Sequence, residues 1–207
     1  MPRGGEATKT RILDAAEALI MGHGLAGTSI DKVIEKAAIT KGAFFYHFKT
    51  KADLARSLVE RYAQRDEHHL QEQLKRAEKL SRDPLQQVLI FIGLFQEEAE
   101  QLTEPGAGCL IASYVYQFEE LDQDIREISA QALLRWRQQL GQKFAEVLAH
   151  YPARLPVKAE ELADAFVSAI EGAFVMLRVL QEPQQLSQQL AHYRNYIELL
   201  FSATPQD

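Results

Sequence analysis

Residues 28–54 read TSIDKVIEKAAITKGAFFYHFKTKADL, and this stretch decides the fold of the N-terminal part of the chain. Thr28 and Ser29 are good helix N-caps and precede a short segment with apolar residues at helical spacing. Thr40 stands in the same position before the next short segment, which follows after three or four residues. The spacing predicts two short helices joined by a tight turn, a helix-turn-helix over about 29–48.

The second of these short helices carries three Phe, one Tyr and one His within eight residues. Phe44 and Phe48 are four residues apart and share one helix face, which we expect to pack on Ile12, Leu19 and Val33. An aromatic run at this spacing is also typical of a buried core, so the pattern alone leaves both interpretations open. The residues that fall elsewhere on this helix are Lys41, Gly42, Ala43, Tyr46 and His47.

The second helix of a helix-turn-helix can enter the major groove of DNA. The small side chains of Gly42 and Ala43 would let the helix lie close to base edges, and Ala43 suits contact with a thymine methyl group. We expect phosphate contacts from side chains and helix-start residues around this helix. The predicted DNA-binding residues are Thr28, Ser29, Thr40, Lys41, Gly42, Ala43, Tyr46, His47 and Lys51.

The rest of the chain also has the period of helices, so the predicted fold class is all-α with about nine helices. Upstream, apolar residues from Thr8 to His23 predict an amphipathic helix. Downstream, Thr50-Lys51-Ala52-Asp53 is a capping box that opens a long helix over 50–80. Five more helices are predicted at 85–102, 109–119, 123–150, 158–181 and 184–202.

Composition restricts the class of protein. The chain has 207 residues, 46% of them hydrophobic and 25% charged, which suits a folded chain of one or two domains. The apolar runs are far shorter than the ~20 residues of a membrane span, and the N-terminus has no apolar signal region, so we expect a cytoplasmic protein without a membrane partner. The single cysteine, Cys109, excludes an intrachain disulfide and a thiolate metal cluster.

The distribution of charge is more informative than its sum. The net charge is −6, but residues 1–53 hold eight Lys/Arg against six Asp/Glu and the remainder is strongly acidic. This asymmetry indicates a basic contact module on an acidic body. No catalytic triad, paired carboxylates, phosphate loop or metal-ligand spacing is found, so the sequence predicts no enzyme, no metal and no cofactor.

Thr28–Ile30 and residues 37–54, together with Arg11–Ala16 and Gly24 upstream, resemble the N-terminal domain of the TetR family of transcriptional repressors. The resemblance covers residues 8–58. The most specific part is the Lys-Gly…Tyr-x-Phe-Lys-x-Lys string from Lys41 to Lys51. One position departs from the family pattern, because Phe45 stands where the family usually has a Tyr whose hydroxyl bonds a phosphate. The neighbouring Tyr46 carries a hydroxyl.

The resemblance implies a DNA-binding domain over 1–53 and a helical effector-binding and dimerisation domain over 54–207. It also implies a homodimer that represses from a palindromic operator and is released by a small-molecule effector. Three alternatives remain beside this interpretation. They are a constitutive or architectural DNA-binding protein without an effector, a redox or electrophile sensor acting through Cys109, and a helical enzyme or interaction protein in which residues 28–48 have lost DNA binding. The presence of Lys41, Tyr46, His47 and Lys51 argues against the third.

Two further sets of residues follow from helix pattern and the resemblance. A mostly apolar pocket for an aromatic or weakly anionic effector is predicted around Cys109, with Cys109 itself either a sensor thiol or a buried core residue. Its residues are Phe91, Phe95, Cys109, Ser113, Tyr114, Tyr116, Trp136, Phe174 and Arg178. A dimer interface is predicted on the last two helices, with Phe166, Ala169, Ile170, Ala173, Leu177, Leu190, Tyr193 and Ile197.

Overall fold

The computed structural model describes residues 4–103, 108–115 and 123–202. Within these residues the chain has nine helices and no strand, which confirms the predicted all-α class. The helices are α1 (Gly4–His23), α2 (Ile30–Lys36), α3 (Lys41–His47), α4 (Lys51–Leu80), α5 (Pro84–Glu100), α6 (Leu110–Val115), α7 (Gln123–His150), α8 (Ala159–Leu180) and α9 (Gln185–Phe201). None of the described helices is long and apolar enough to cross a membrane.

Local side-chain caps explain where several helices begin. The Thr50 N–H donates to the Asp53 carboxylate and the Asp53 N–H donates to the Thr50 hydroxyl, both at 3.0 Å, so the predicted capping box opens α4. Asp83 accepts from the Gln86 N–H at 2.8 Å and Pro84 takes the first position of α5. Of the predicted helix 109–119, residues 110–115 are helical and residues 116–119 lie outside the described residues.

The chain divides into two compact units. Unit 1 holds residues 1–65 and 108–131, and unit 2 holds residues 66–107 and 132–207. Both α4 and α7 contribute residues to each unit. Unit 1 therefore extends beyond residues 1–53, because residues in the first half of α4 and Leu110 and Tyr114 of α6 pack into the same core as the first three helices.

Unit 1 has a continuous apolar core beneath the two short helices. The side chains of Phe44 and Phe48 are 0% and 2% exposed and lie in one cluster with Ile12 and Val33, as predicted. Leu19 packs against the edge of this cluster. Burial of two phenylalanines from a seven-residue helix and its C-cap fixes α3 on the body of the unit, since such a short helix is not stable alone.

Unit 2 is built around packed aromatic rings. Phe166 of α8 is fully buried, and its ring centroid lies within 6.0 Å of those of Phe91, Phe95, Trp136 and Tyr193. These residues come from α5, α7, α8 and α9, so Phe166 stands where four helices meet. Ring pairs at these distances add to the stabilisation from apolar burial alone.

Candidate nucleic-acid interface

Helix α3 has one buried face and one open face. Phe44 and Phe48 occupy the buried face, and the ring of Phe45 lies half-buried with its edge toward Phe44 at 5.3 Å. Lys41 and Gly42 are exposed and Ala43 is half-buried. The aromatic run therefore divides between the core and the surface, because the period of the helix separates its members.

The open face ends in two aromatic side chains. Tyr46 is 76% exposed, the largest exposure among the large hydrophobic side chains described. Its ring meets that of His47 edge-on at 5.0 Å. A Cβ added to Gly42 would contact nothing within 4 Å, so the absence of a side chain there serves no packing need inside the protein. An open, small-residue helix start followed by a phenol and an imidazole is a surface suited to approach DNA closely.

Two hydroxyls fix the starts of α2 and α3. The Ser29 hydroxyl accepts from the Lys32 N–H at 3.2 Å, and the Thr40 hydroxyl accepts from the Ala43 N–H at 3.1 Å. Both residues are exposed and extended, as N-caps are. These two predicted DNA-binding hydroxyls therefore already cap their own helices, and each still has an O–H donor directed away from that bond.

The turn between α2 and α3 is closed by a left-handed residue. Ala38 has φ 50°, its N–H donates to the Glu35 carbonyl, and the Ile39 N–H donates to the Ile34 carbonyl. This is the Schellman arrangement, which normally takes glycine at the left-handed position. The tight turn predicted from the spacing is thus formed at the cost of strain at one alanine.

The turn between α1 and α2 is held by side chains that bond its carbonyl oxygens. The Lys51 ammonium donates to the Leu25 carbonyl at 2.6 Å, and the Lys32 ammonium donates to the Gly27 carbonyl at 3.0 Å. A Cβ at Gly27 would lie 2.4 Å from the His23 carbonyl oxygen, so only glycine fits there. Lys51, predicted as a phosphate contact, therefore has a positioning bond inside unit 1.

Thr28 lies below the surface rather than on it. Its side chain is 3% exposed, its hydroxyl donates to the Gly24 carbonyl at 2.9 Å, and its N–H donates to the Leu25 carbonyl at 3.2 Å. Both donors proposed for phosphate contact are used inside the protein. The sequence placed Thr28 beside Ser29 as an equivalent cap, and the structure makes Ser29 the cap and Thr28 part of the turn.

Ion pairs join α1 to α4 behind this surface. Arg61 bonds the carboxylates of Asp14 and Glu17, each at 2.7 Å, and Arg65 bonds Glu17 at 2.5 Å. The hydrogen bond with Glu17 raises the pKa of the Arg65 guanidinium. Glu17 is largely buried between its two partners. The network fixes the register of α1, whose inner face carries the core beneath α3.

Matches to known families cover both parts of the chain. Residues 12–58 match the model of bacterial regulatory proteins of the tetR family. Residues 84–192 match the C-terminal domain of LmrA/YxaF-like transcriptional regulators, which alone is more than half of the chain. The chain belongs to the TetR family of transcriptional regulators. Members of this family bind DNA through the helix-turn-helix and are regulators rather than enzymes.

Individual relatives agree with this assignment. An HTH-type transcriptional regulator in the lacX 3' region of Lactococcus lactis subsp. lactis is 27% identical over 175 residues, which are 84% of this chain and 85% of the relative. A TetR-family regulator from Agrobacterium tumefaciens has the same fold, with TM-score 0.79, 21% identity, and coverage of 96% of this chain and 100% of that one. The reduced form of Escherichia coli NemR gives TM-score 0.74 and 19% identity, with coverage of 91% and 96%.

The predicted effector-pocket residues of this TetR-family protein fall in both units. Cys109, Ser113 and Tyr114 belong to unit 1, where Tyr114 is fully buried in the core and the Ser113 hydroxyl donates to the Cys109 carbonyl at 3.1 Å. Tyr116 lies outside the described residues. The members in unit 2 are Phe91, Phe95, Trp136, Phe174 and Arg178; the first three are in ring contact, Phe174 is half-buried and Arg178 is exposed.

The predicted dimer residues divide between the core and the surface of unit 2. Ala169 and Ile170 are half-buried. The other six are buried within the protomer's own core: Phe166, Ala173, Leu177, Leu190, Tyr193 and Ile197. The outer face of the same two helices carries a different apolar set, consisting of Val175, Met176, Val179, Leu180, Tyr196 and Leu199.

Sequence reasoning missed a polar group beside the rings of unit 2. Asp66, His69 and Gln73 recur at three- and four-residue spacing on α4, and Gln73 is 8% exposed although it is polar. The signal was present, because these residues interrupt the face that carries Leu70 and Leu74. The sequence does not show which side chains of other helices these residues bond, and without that information such a polar stripe cannot be told from a solvated helix face.

Proposed function

We propose that this protein is a homodimeric repressor that binds a palindromic operator and is released from it by a small-molecule effector. The observation that carries the DNA-binding half is the open face of α3, where Lys41, Gly42 and Tyr46 stand free of the core that holds Phe44 and Phe48. The protein would act in the cytoplasm, where the operator lies. A two-fold dimer reads half-sites about 34–36 Å apart.

The first experiment tests the DNA surface with two variants of equal charge change. Lys41→Ala removes an exposed cation at the start of α3, and Lys79→Ala removes an exposed cation at the end of α4 in unit 2. The operator is first obtained by sequencing genomic fragments captured by the purified protein. We expect Lys41→Ala to weaken binding and to lower the salt slope by roughly one unit, because one phosphate contact is lost. Equal slopes for the two variants would contradict the placement.

Gly42 gives a test that separates folding from recognition. An added side chain meets nothing inside the protein, so Gly42→Ala leaves the fold intact and stabilises α3 by up to about 1 kcal/mol. Operator affinity should nevertheless fall, since the methyl group would stand between α3 and the bases. Gly22→Ala is the matched control, because that glycine is also exposed in a helix with open space around it. Unchanged operator affinity in Gly42→Ala would show that this helix start does not approach DNA.

The dimer half of the proposal places the partner on the outer face of α8 and α9. Exposed small residues and then valines recur along α8 at Ser168, Gly172, Val175 and Val179, a spacing that puts them on one face. Leu199 of α9 is 64% exposed and Val179 is 74% exposed. Exposed apolar groups on two adjacent helices suit a four-helix, isologous interface.

The second experiment breaks this interface without touching the protomer. A Cβ at Gly172 meets nothing within 4 Å, so Gly172→Arg is accommodated in one chain and obstructs close approach of a second. Gln142→Arg adds the same charge at an exposed position of α7 and is the control. We expect light scattering to report monomers for Gly172→Arg alone, with loss of binding to the full palindrome. A dimer in both variants would contradict the proposed surface.

A thiol sensor is the second candidate for regulation. Cys109 is half-buried and immediately precedes α6, whose Leu110 and Tyr114 are fully buried in the core of unit 1. Modification of this thiol would therefore act close to the DNA-binding core. The fold relative NemR has a structure described as its reduced form, which makes a redox response worth testing. Operator release by a thiol-specific electrophile in the native protein but not in Cys109→Ser would favour this route.

A further inference from the structure

Six side chains of unit 2 form one connected group, here called the aromatic–acidic cluster: Asp66, His69, Gln73, Phe95, Glu98 and Trp136. Contacts between these side chains connect α4, α5 and α7. The Trp136 indole N–H donates to Asp66 at 2.5 Å, and the Trp136 ring meets that of Phe95 at 5.7 Å. Phe95 in turn meets the His69 ring edge-on at 5.1 Å.

Glu98 closes the cluster on its polar side. Its carboxylate lies 3.0 Å from His69 Nε2 and accepts from the Gln73 amide at 2.6 Å. The orientation of that amide is fixed, because the reverse orientation would set its oxygen against a carboxylate oxygen. In this orientation the Gln73 Oε1 atom is buried and has no hydrogen-bond partner. A buried acceptor left in this state costs free energy, and its natural complement is an N–H donor.

The charges around this acceptor select the kind of donor. Asp66 and Glu98 are carboxylates, while the Trp136 N–H and the His69 ring nitrogen are already directed at them. Arg135, one residue before Trp136, pairs with Glu67 at 3.1 Å. A ligand with N–H donors and positive charge would satisfy the Gln73 oxygen and gain a charge-assisted bond from Glu98. An anionic ligand would meet two carboxylates instead.

The aromatic rings of the cluster indicate a flat ligand, and their exposure indicates the side from which it enters. Trp136 is 8% exposed, whereas Phe95 is half-buried and the side chains of His69 and Glu98 are 38% and 43% exposed. Solvent therefore reaches the cluster from the side of His69 and Glu98, where the half-buried ring of Phe95 also lies. A flat cation entering there would lie against the faces of aromatic rings, which attract positive charge.

We propose that the aromatic–acidic cluster binds a planar aromatic cation, with its N–H donors on Gln73 Oε1 and the Glu98 carboxylate. This rests on the proposed function, in which the ligand is the effector. It replaces the expectation of a weakly anionic ligand, which depended on tyrosine hydroxyls and Arg178. Of those groups, Tyr114 belongs to unit 1 and Arg178 is exposed.

The test compares three probes of one shape with different charge: benzamidine, benzamide and benzoate. Trp136 is the one tryptophan of the chain, so its emission reports binding at the cluster directly. We expect benzamidine to change this emission at a concentration at least about tenfold lower than benzamide, with benzoate weaker still. Calorimetric titration of the same probes checks the order. Equal responses to all three probes, or a preference for benzoate, would overturn the proposal.

Two variants locate the donor contacts. Glu98→Gln keeps the shape and the bond with the Gln73 amide but removes the charge, and Gln73→Met removes the orphaned oxygen at similar chain length. Each should lose most of the preference for benzamidine over benzamide. Glu97→Gln and Gln71→Met are the neighbouring controls and should keep it. If Gln73→Met does not fold, Glu98→Gln alone decides, and an unchanged preference in Glu98→Gln overturns the proposal.

Failure of this proposal is distinguishable from failure of the proposed function. Operator binding by the unliganded native protein is measured in parallel with the probes. Intact operator binding without a cation preference overturns the ligand class alone. Absence of operator binding in the native protein overturns the repressor itself, whichever probe binds.

Discussion

Each of the two units has a buried tyrosine, and the two differ in whether the hydroxyl has a hydrogen-bond partner. In unit 2, the Tyr193 hydroxyl donates to the Leu162 carbonyl at 2.7 Å. In unit 1, the fully buried Tyr114 hydroxyl has no partner. Burial raises the pKa of both phenols, and Glu17 raises that of Tyr114 further. The buried tyrosine hydroxyl is thus hydrogen-bonded in unit 2 and left without a partner in unit 1.

The difference indicates where each unit derives its stability. Unit 2 has a dense aromatic centre at Phe166, with long helices on all sides of it. Unit 1 has two seven-residue helices, which depend on the Ser29 and Thr40 caps and on the strained turn at Ala38. We therefore expect unit 1 to lose its structure more readily than unit 2.

The largest expected effect is at the centre of unit 2. Phe166→Ala removes a ring that contacts four other aromatic rings and should cost about 3–5 kcal/mol of unfolding free energy. Urea unfolding followed by Trp136 emission measures it. Tyr46→Ala, which removes an exposed ring from unit 1, is the control and should leave stability within about 0.5 kcal/mol. Similar losses of unfolding free energy in the two variants would contradict the central role of the Phe166 ring in unit 2.

The sequence predicted helix starts and helix faces better than it predicted the tertiary contacts of individual side chains. The capping box at Thr50, the caps at Ser29 and Thr40, and the two faces of α3 depend on neighbours within a few residues, and each is found as predicted. Thr28 escaped this reasoning because its partner, the Gly24 carbonyl, depends on how the α1–α2 turn folds back. The local sequence pattern predicts which residues can cap a helix, but tertiary packing decides which of these residues are exposed and able to reach DNA.

The spacing of apolar residues along a helix also cannot tell which of them pack inside the protomer and which remain on its outer face. The helical spacing of Phe166, Ala173 and Leu177 predicts a stripe for a dimer interface, yet that stripe faces the protomer's own core. The broad apolar surface of α8 includes Val175 and Val179 on the outside, and only the packing of α5, α7 and α9 separates the two sets. For the same reason Tyr114 and Trp136, both predicted in one pocket, belong to different units.

The tyrosine comparison itself gives the second prediction. Tyr193→Phe deletes a buried hydrogen bond to a carbonyl and should cost about 1–2 kcal/mol. Tyr114→Phe deletes a buried hydroxyl that has no partner, so stability should stay unchanged or rise by up to about 1 kcal/mol. Chemical unfolding of both variants, followed by circular dichroism, provides the comparison. An equal loss in Tyr114→Phe would mean that its hydroxyl is satisfied in solution.

The third prediction uses the two non-glycine residues with positive φ among those described. Ala38 ends α2 in unit 1 at φ 50°, and Gln181 ends α8 in unit 2 at φ 60°. The Gln181 side chain compensates by donating to the Arg178 carbonyl at 2.6 Å, which alanine cannot do. Ala38→Gly should therefore stabilise by up to about 1 kcal/mol, and Gln181→Gly by less or not at all. Thermal unfolding ranks them, and a larger gain at Gln181 would reverse the comparison.

The smallest effect is expected at the start of α5 and depends on pH. The Tyr151 hydroxyl donates to the Asp83 carboxylate and, with the Gln86 N–H, lowers the pKa of Asp83 below its ordinary 3.8. A carboxyl with a lowered pKa in the folded state stabilises above its ordinary pKa, and this stability is lost as the pH falls through the folded value. Tyr151→Phe should thus lower the thermal midpoint at pH 7 and approach the native midpoint below about pH 3. Because both groups are near the surface, the difference is small, and Tyr46→Phe, whose hydroxyl is exposed in unit 1, should show none at any pH. A deficit in Tyr151→Phe that stays constant down to pH 2 would show that the phenol acts through packing rather than through the ionised carboxylate.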